Sequence, residues 1–95
     1  MSALQSLLKE HRDAIDTIDA DVIALLNKRA LLSFEIGKLK HDNGNTSIKD
    51  ASREQVIIDN LTNTSNGPLH AEQISALYHL IFSQSRQIQE DLKNA

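Results

Sequence analysis

Arg29 stands in a place that an apolar residue should fill. From Ile15 onward the apolar residues recur at Ile15, Ile18, Val22, Leu25, and then Leu32 and Ile36. These alternating steps of three and four mark the buried stripe of a long amphipathic helix. Arg29 takes the next place in the series. A guanidinium does not give up its proton, so withdrawing it from water requires an anionic partner. That partner is a carboxylate, from the chain or from a ligand.

Other polar residues share apolar faces in the same way. Arg12 lies at the edge of the Arg29 stripe, and Lys40 follows Ile36 by one turn. Glu54 precedes Ile57 and Ile58 by a turn, flanked by Arg53 and Asp50. Ser85 comes a turn after Ile81, and Gln89 a turn after Ser85. Taken singly, each has a plainer reading: an interfacial ion pair, a hydroxyl bonded to the backbone, or a helix cap for Asp50. Taken together, they put polar groups on the apolar face of every helix, with more cations than acids. Such a set suits a small ligand with more than one carboxylate and with hydroxyl or ether oxygens beside them.

The elements that must carry these residues are helices. Between Ala3 and Ile36 there is neither proline nor glycine, and Ser2 with Gln5 reads as a capping box. The pattern predicts a first helix from about Ala3 to about Lys40, with Gly37 letting another backbone approach closely. His41 to Ser47 is a loop by composition. Ser47 and Asp50 have capping-box spacing for a second helix, about Ile48 to Thr62, with Ile57, Ile58 and Leu61 on one face. After a second loop, Asn63 to Gly67, Pro68 fits the first turn of a third helix. That helix runs to about Leu92, with Ile74, Leu77, Tyr78, Ile81, Ile88 and Leu92 facing in. No segment alternates with period two. The chain reads as all-α, a single domain over residues 1–95.

A first helix of that length is about 57 Å long, whereas a compact monomer of this size has a radius of gyration near 13 Å. Its stripe would lie open to water unless a second chain covered it. The expected assembly is an intertwined two-fold dimer. Arg12 and Arg29 are about 26 Å apart along one helix, too far for one small ligand. In an antiparallel pair centred near residue 20, Arg12 of one chain falls beside Arg29 of the other, giving two shared sites.

Bulk properties narrow the partners. The net charge of −3 argues against nucleic acid. No apolar run reaches the length of a membrane span, and the N-terminus from Met1 lacks the features of a signal peptide. There is no cysteine, so disulfides and thiolate metal sites are out, and a cytoplasmic setting is expected. His11, His41, His70 and His79 have no metal-ligand spacing and read as surface or interface residues. Asn45, Asn60 and Asn63 open glycosylation-type triplets, chance matches in a cytoplasmic protein.

Five stretches, in order and covering nearly the whole chain, carry a family resemblance: His11-Arg12-Asp13-Ala14-Ile15-Asp16-Thr17-Ile18-Asp19, Leu25-Leu26-Asn27-Lys28-Arg29, Ile36-Gly37-Lys38-Leu39-Lys40, Asp50-Ala51-Ser52-Arg53-Glu54 and Ser83-Gln84-Ser85-Arg86-Gln87-Ile88-Gln89. With them the chain resembles the all-helical class of chorismate mutase, small intertwined dimers. The resemblance implies substrate-binding positions at Arg12 (reaching across from the partner chain), Arg29, Asp50, Arg53, Glu54 and Ser85, and catalytic positions at Lys40 and Gln89. It implies no cofactor and no metal. The loop Asn43 to Ser47 departs from the family pattern, being one residue longer and without its proline, and this bears most on Asp50.

The implied reaction is the Claisen rearrangement of chorismate to prephenate. The protein holds the compact conformer and stabilises negative charge growing on the ether oxygen. Arginines suit the two carboxylates through their planar fork. Lys40 and Gln89 would meet the ether oxygen, Glu54 would accept from the ring hydroxyl, and Ser85 would help seat a carboxylate. Three alternatives stand beside this. One is a mutase of 4-amino-4-deoxychorismate, whose ammonium Glu54 would welcome. Another is an isochorismate pyruvate-lyase, against which the acid at Glu54 counts. The third is a non-catalytic helical dimerisation or regulatory module.

Overall fold

The computed structural model describes residues 2–45, 47 and 49–93, with the side chains of residues 92 and 93 set aside. It contains three helices: α1 (Ala3–Asp42), α2 (Ala51–Thr64) and α3 (Ala71–Lys93). There is no strand among the described residues, so the all-α reading holds.

The capping box at the start of α1 is formed. The Ser2 amide donates to Gln5 Oε1 at 3.0 Å, and the Gln5 amide donates to Ser2 Oγ at 3.1 Å. One turn on, the Lys9 ammonium donates to Asp13 at 2.7 Å, and that hydrogen bond and charge raise the Lys9 pKa. Both groups are exposed, so the pair adds little stability. α1 runs two residues past the expected end and stops in a Schellman turn. The Asn45 amide donates to the Lys40 carbonyl at 2.8 Å and the Gly44 amide to the His41 carbonyl at 3.0 Å. Gly44 has φ 80°, which only glycine adopts freely.

α2 starts later than the Ser47 cap predicted. Its N-cap is Asp50, whose Oδ1 accepts from the Arg53 amide at 3.0 Å. Ser47 stays in the loop before the helix and donates its hydroxyl to the Lys49 carbonyl. Ile48, the expected first residue of α2, lies outside the described residues, as do Met1 and Thr46. α2 continues to Thr64, two residues beyond the expected end.

Pro68 does not open α3. The Ser65 hydroxyl donates to the Leu69 carbonyl at 2.8 Å, which holds Ser65–Leu69 as a turn, with Gly67 at φ 81°. The helix therefore begins at Ala71, where the His70 amide finds Gln73 Oε1 at 2.8 Å.

The chain divides into two compact units, Met1–Leu32 and Ser33–Ala95. In the first, the helix leaves Ile15, Ile18, Val22 and Leu25 between 44% and 62% exposed, and among the described residues only Leu26, Arg29 and Ala30 are half-buried. In the second, α2 packs against α3, and Ile58, Ile74 and Phe82 form the core. Tyr78 and His79 each set a ring edge against Phe82, at centroid distances of 5.9 and 6.0 Å.

Ile57, Ile58, Leu61, Ile74, Tyr78 and Ile81 face inward as expected. Two residues of the α3 stripe do not: Leu77 is 50% exposed and Ile88 37%. Phe82, left out of the stripe, is the most buried apolar side chain at 4%. The inward face follows Ile74, Tyr78 and Phe82 in steps of four, which sets Leu77 at its edge. The side chain of Leu92, also expected to face in, lies outside the described residues.

Candidate active site

Helices fix side chains at set angles and rises, so the register of each polar residue decides what it meets. In the Ser33–Ala95 unit the last turns of α1 present Ser33, Phe34, Gly37 and Lys40 as a half-buried face. Gln89 of α3 lies against it. Its Nε2 donates to the Ser33 carbonyl at 2.9 Å and to the Ser33 hydroxyl at 2.7 Å.

Gly37 makes room for this. A Cβ there would stand 3.3 Å from Gln89 Cδ and 3.4 Å from Oε1. What approaches Gly37 closely is thus the Gln89 side chain, where the sequence led us to expect a backbone. Lys40, one turn further, is half-buried at the C-terminal end of α1, where the helix dipole favours a cation.

The second polar centre joins α2 to α3. Glu54, in the first turn of α2, accepts a charge-assisted hydrogen bond from Arg86 Nη1 at 2.5 Å, with side chains 16% and 30% exposed. Ile58 follows Glu54 by four residues and Phe82 precedes Arg86 by four, so the ion pair extends the apolar α2–α3 contact by one turn. Ser85 is half-buried on the same stretch of α3. Asp50 and Arg53 are exposed and meet through the cap, carboxylate to backbone amide. The plain capping role of Asp50 is therefore real, whatever else the residue does.

In the Met1–Leu32 unit, Arg12 is exposed and Arg29 half-buried. The unbroken helix keeps them about 26 Å apart, so one small ligand cannot span both from a single chain. Among the described charged side chains, Arg29, Lys40, Glu54, Arg86 and Glu90 are the ones partly withdrawn from water. Three of these belong to the predicted set.

The sequence reading missed Ser33 and Arg86. Ser33 is one turn before Gly37, and Arg86 is one turn after Phe82. Both signals are registers, visible only once the inward faces are placed correctly. Among the described residues no group of three or more His, Asp or Glu side chains could hold a metal ion. Nor is any helix there long and apolar enough to cross a membrane.

Comparison with known proteins identifies the family. The pattern of the family described as chorismate mutase type II matches residues 11–90. A bifunctional chorismate mutase/prephenate dehydratase of Neisseria gonorrhoeae is 34% identical over 89 residues, covering 94% of this chain and 24% of that protein. One from Buchnera aphidicola is 34% identical over 88 residues, covering 92% and 23%. The chain thus spans about a quarter of the length of these relatives.

Among solved structures, the chorismate mutase of Helicobacter pylori in complex with prephenate superposes with a TM-score of 0.86 at 32% identity, covering 95% of this chain and 98% of that one. A chorismate mutase of Thermus thermophilus superposes with a TM-score of 0.79 at 31% identity, covering 94% and 96%. A fold match over nearly the whole chain, a third of the residues shared and a family pattern running from His11 to Glu90 lead to one assignment: the chain belongs to the chorismate mutase type II family.

Proposed function

We propose that this chain is a chorismate mutase, an isomerase that converts chorismate to prephenate, and that residues 1–95 act as one such domain in a cytoplasmic homodimer. The observation that carries the reading is the half-burial of Lys40, Glu54, Ser85 and Gln89 on otherwise apolar helix faces. Family membership says which chemistry such a set serves, and the Helicobacter pylori relative was solved with the reaction product.

The reaction breaks one C–O bond and forms one C–C bond within a single molecule, so atoms and electrons balance without a co-reactant. The protein's task is to select the compact conformer and to meet the charge that grows on the ether oxygen. Lys40 supplies a cation for that oxygen. Gln89 supplies a neutral amide donor, turning one N–H from Ser33 toward the substrate. Arg29, Arg53 and the partner's Arg12 bind the carboxylates, with Ser85 beside them. Asp50 and Glu54 face the ring side, where Glu54 accepts from the hydroxyl.

The dimer reading is supported by the open stripe of α1, where Leu32 and Ile36 are 66% and 53% exposed in the single chain. A pairing of two α1 helices would cover it and bring Arg12 across.

The test is direct. Purified protein with chorismate should consume the substrate and release prephenate in equal amount, identified by chromatography and NMR. Release of pyruvate would replace this reading with the lyase. No consumption, by protein with native helicity, would leave a non-catalytic helical module.

A further inference from the structure

We propose that Arg86 is a specificity residue: its ion pair with Glu54 cancels the carboxylate's charge and makes the site prefer a ring hydroxyl to a ring ammonium. This rests on the chorismate mutase reading of the site.

Glu54 alone would favour the wrong substrate for that reading. An isolated, half-buried carboxylate accepts a charge-assisted hydrogen bond from either group, but only the ammonium adds a full opposite charge, so it is bound more strongly. The amino analogue would then be the better ligand. Arg86 changes this balance. Its Nη1 donates to Glu54 Oε2, which leaves Oε1 to accept from the substrate. A hydroxyl at Oε1 meets a neutralised pair. An ammonium there meets a guanidinium within about 4–6 Å, a like charge that disfavours it.

A purely structural ion pair explains the arrangement less well. Two charges kept partly out of water add little net stability compared with apolar side chains of similar size. The adjoining turns of α2 and α3 already use Ile58 and Phe82 for that purpose. Arg86 also sits between Ser85 and Gln89 in sequence, on the stretch of α3 that carries the proposed substrate contacts. A charge at this place acts on whatever Glu54 touches.

The experiment measures kcat/KM for chorismate and for 4-amino-4-deoxychorismate with wild type, Arg86→Met, Arg86→Gln and Arg86→Lys. The readout is the ratio of the two values. Wild type should favour chorismate. Removing the charge, in Met or Gln, should move the ratio toward the amino substrate by about tenfold or more. Lys, which keeps the charge, should hold the ratio within about twofold of wild type. A general loss of packing lowers both substrates together and leaves the ratio alone. Gln, which is polar and smaller, covers the case in which Met does not fold, as judged by circular dichroism. An unchanged ratio in a folded neutral variant overturns the proposal while the mutase reading survives. A wild type that turns over neither substrate overturns the mutase reading itself.

Discussion

Replacing Gly37 with alanine sets two effects against each other, and the structure gives the size of both. The position is in the interior of α1 with no positive φ, so alanine fits the backbone and its helix propensity gains up to about 1 kcal/mol. The new methyl would stand 3.3 Å from Gln89 Cδ and 3.4 Å from Oε1, so the carboxamide must give way by a few tenths of an ångström. That shift strains two hydrogen bonds to Ser33, each worth about 0.5–1.5 kcal/mol. The two contributions offset, and the unfolding free energy should change by less than about 1 kcal/mol. Activity has no such compensation. A misplacement of about 1 Å can cost on the order of a hundredfold, so a shift of a few tenths should lower kcat/KM by about 3- to 10-fold. Urea unfolding at fixed protein concentration reads the first quantity, and initial rates with chorismate read the second. The decisive comparison is a double-mutant cycle, in which Gly37→Ala should be nearly silent in a Gln89→Ala background. An equal loss in both backgrounds would mean that the methyl acts elsewhere. Unchanged kcat/KM in the single variant would mean that the place of Gln89 does not matter to the reaction.

Three further outcomes follow from the same geometry. Ser33→Ala removes the hydroxyl but leaves the carbonyl, so Gln89 keeps one anchor, and kcat/KM should fall by about 2- to 5-fold with a stability change near 1 kcal/mol or less; a loss of a hundredfold would show a more direct role. Gln89→Glu can donate only when protonated, and its unperturbed pKa is near 4.3, so activity should be poor at neutral pH and recover as pH falls; a flat profile near wild type from about pH 4.5 to 8 would remove the catalytic role. Arg12→Ala and Arg29→Ala should each be nearly inactive, yet a refolded mixture should regain about a quarter of wild-type activity, because each heterodimer has one site free of both changes; no recovery in proven heterodimers would mean that both arginines serve the same chain's site.

Local signals read well from the sequence, and inter-helix registers did not. The Ser2–Gln5 box, a loop around Gly44 and the three helices follow from capping chemistry, composition and periodicity, all properties of a few adjacent residues. The errors come from competition between equally plausible local choices. Ser47 and Asp50 can both cap, and in the structure Asp50 takes the Arg53 amide while Ser47 stays in the loop. Phe82 and Leu77 both lie near the apolar stripe of α3, and only packing against α2 decides which is buried. The apolar faces and the family resemblance pointed to eight candidate positions, but not to the residues that hold them. Arg86 is a charged residue on a helix next to serine, and nothing in that context marks it as the partner of Glu54, 32 positions away.

The proposed rearrangement within one molecule would ask for little chemistry and much geometry, and the form of this small unit suits that demand. Each polar group that would face the reacting atoms is a long, flexible side chain, and fixing one costs up to about 2 kcal/mol of rotamer entropy. On the proposed reading, part of that cost is met before substrate arrives, since Gln89 would keep one Ser33 bond while its other N–H turns to the substrate. Gln89 is anchored by Ser33 and accommodated by Gly37, and Glu54 is anchored by Arg86. The anchors sit on helices other than those of the groups they hold, so the α1–α3 and α2–α3 registers are set by polar contacts as well as by the apolar core. Substituting an anchor should therefore alter the reaction more than the fold, whereas substituting Ile58, Ile74 or Phe82 should alter the fold first. Removing a buried side chain of that size costs about 2–5 kcal/mol, while losing one neutral hydrogen bond to an anchor costs nearer 1 kcal/mol.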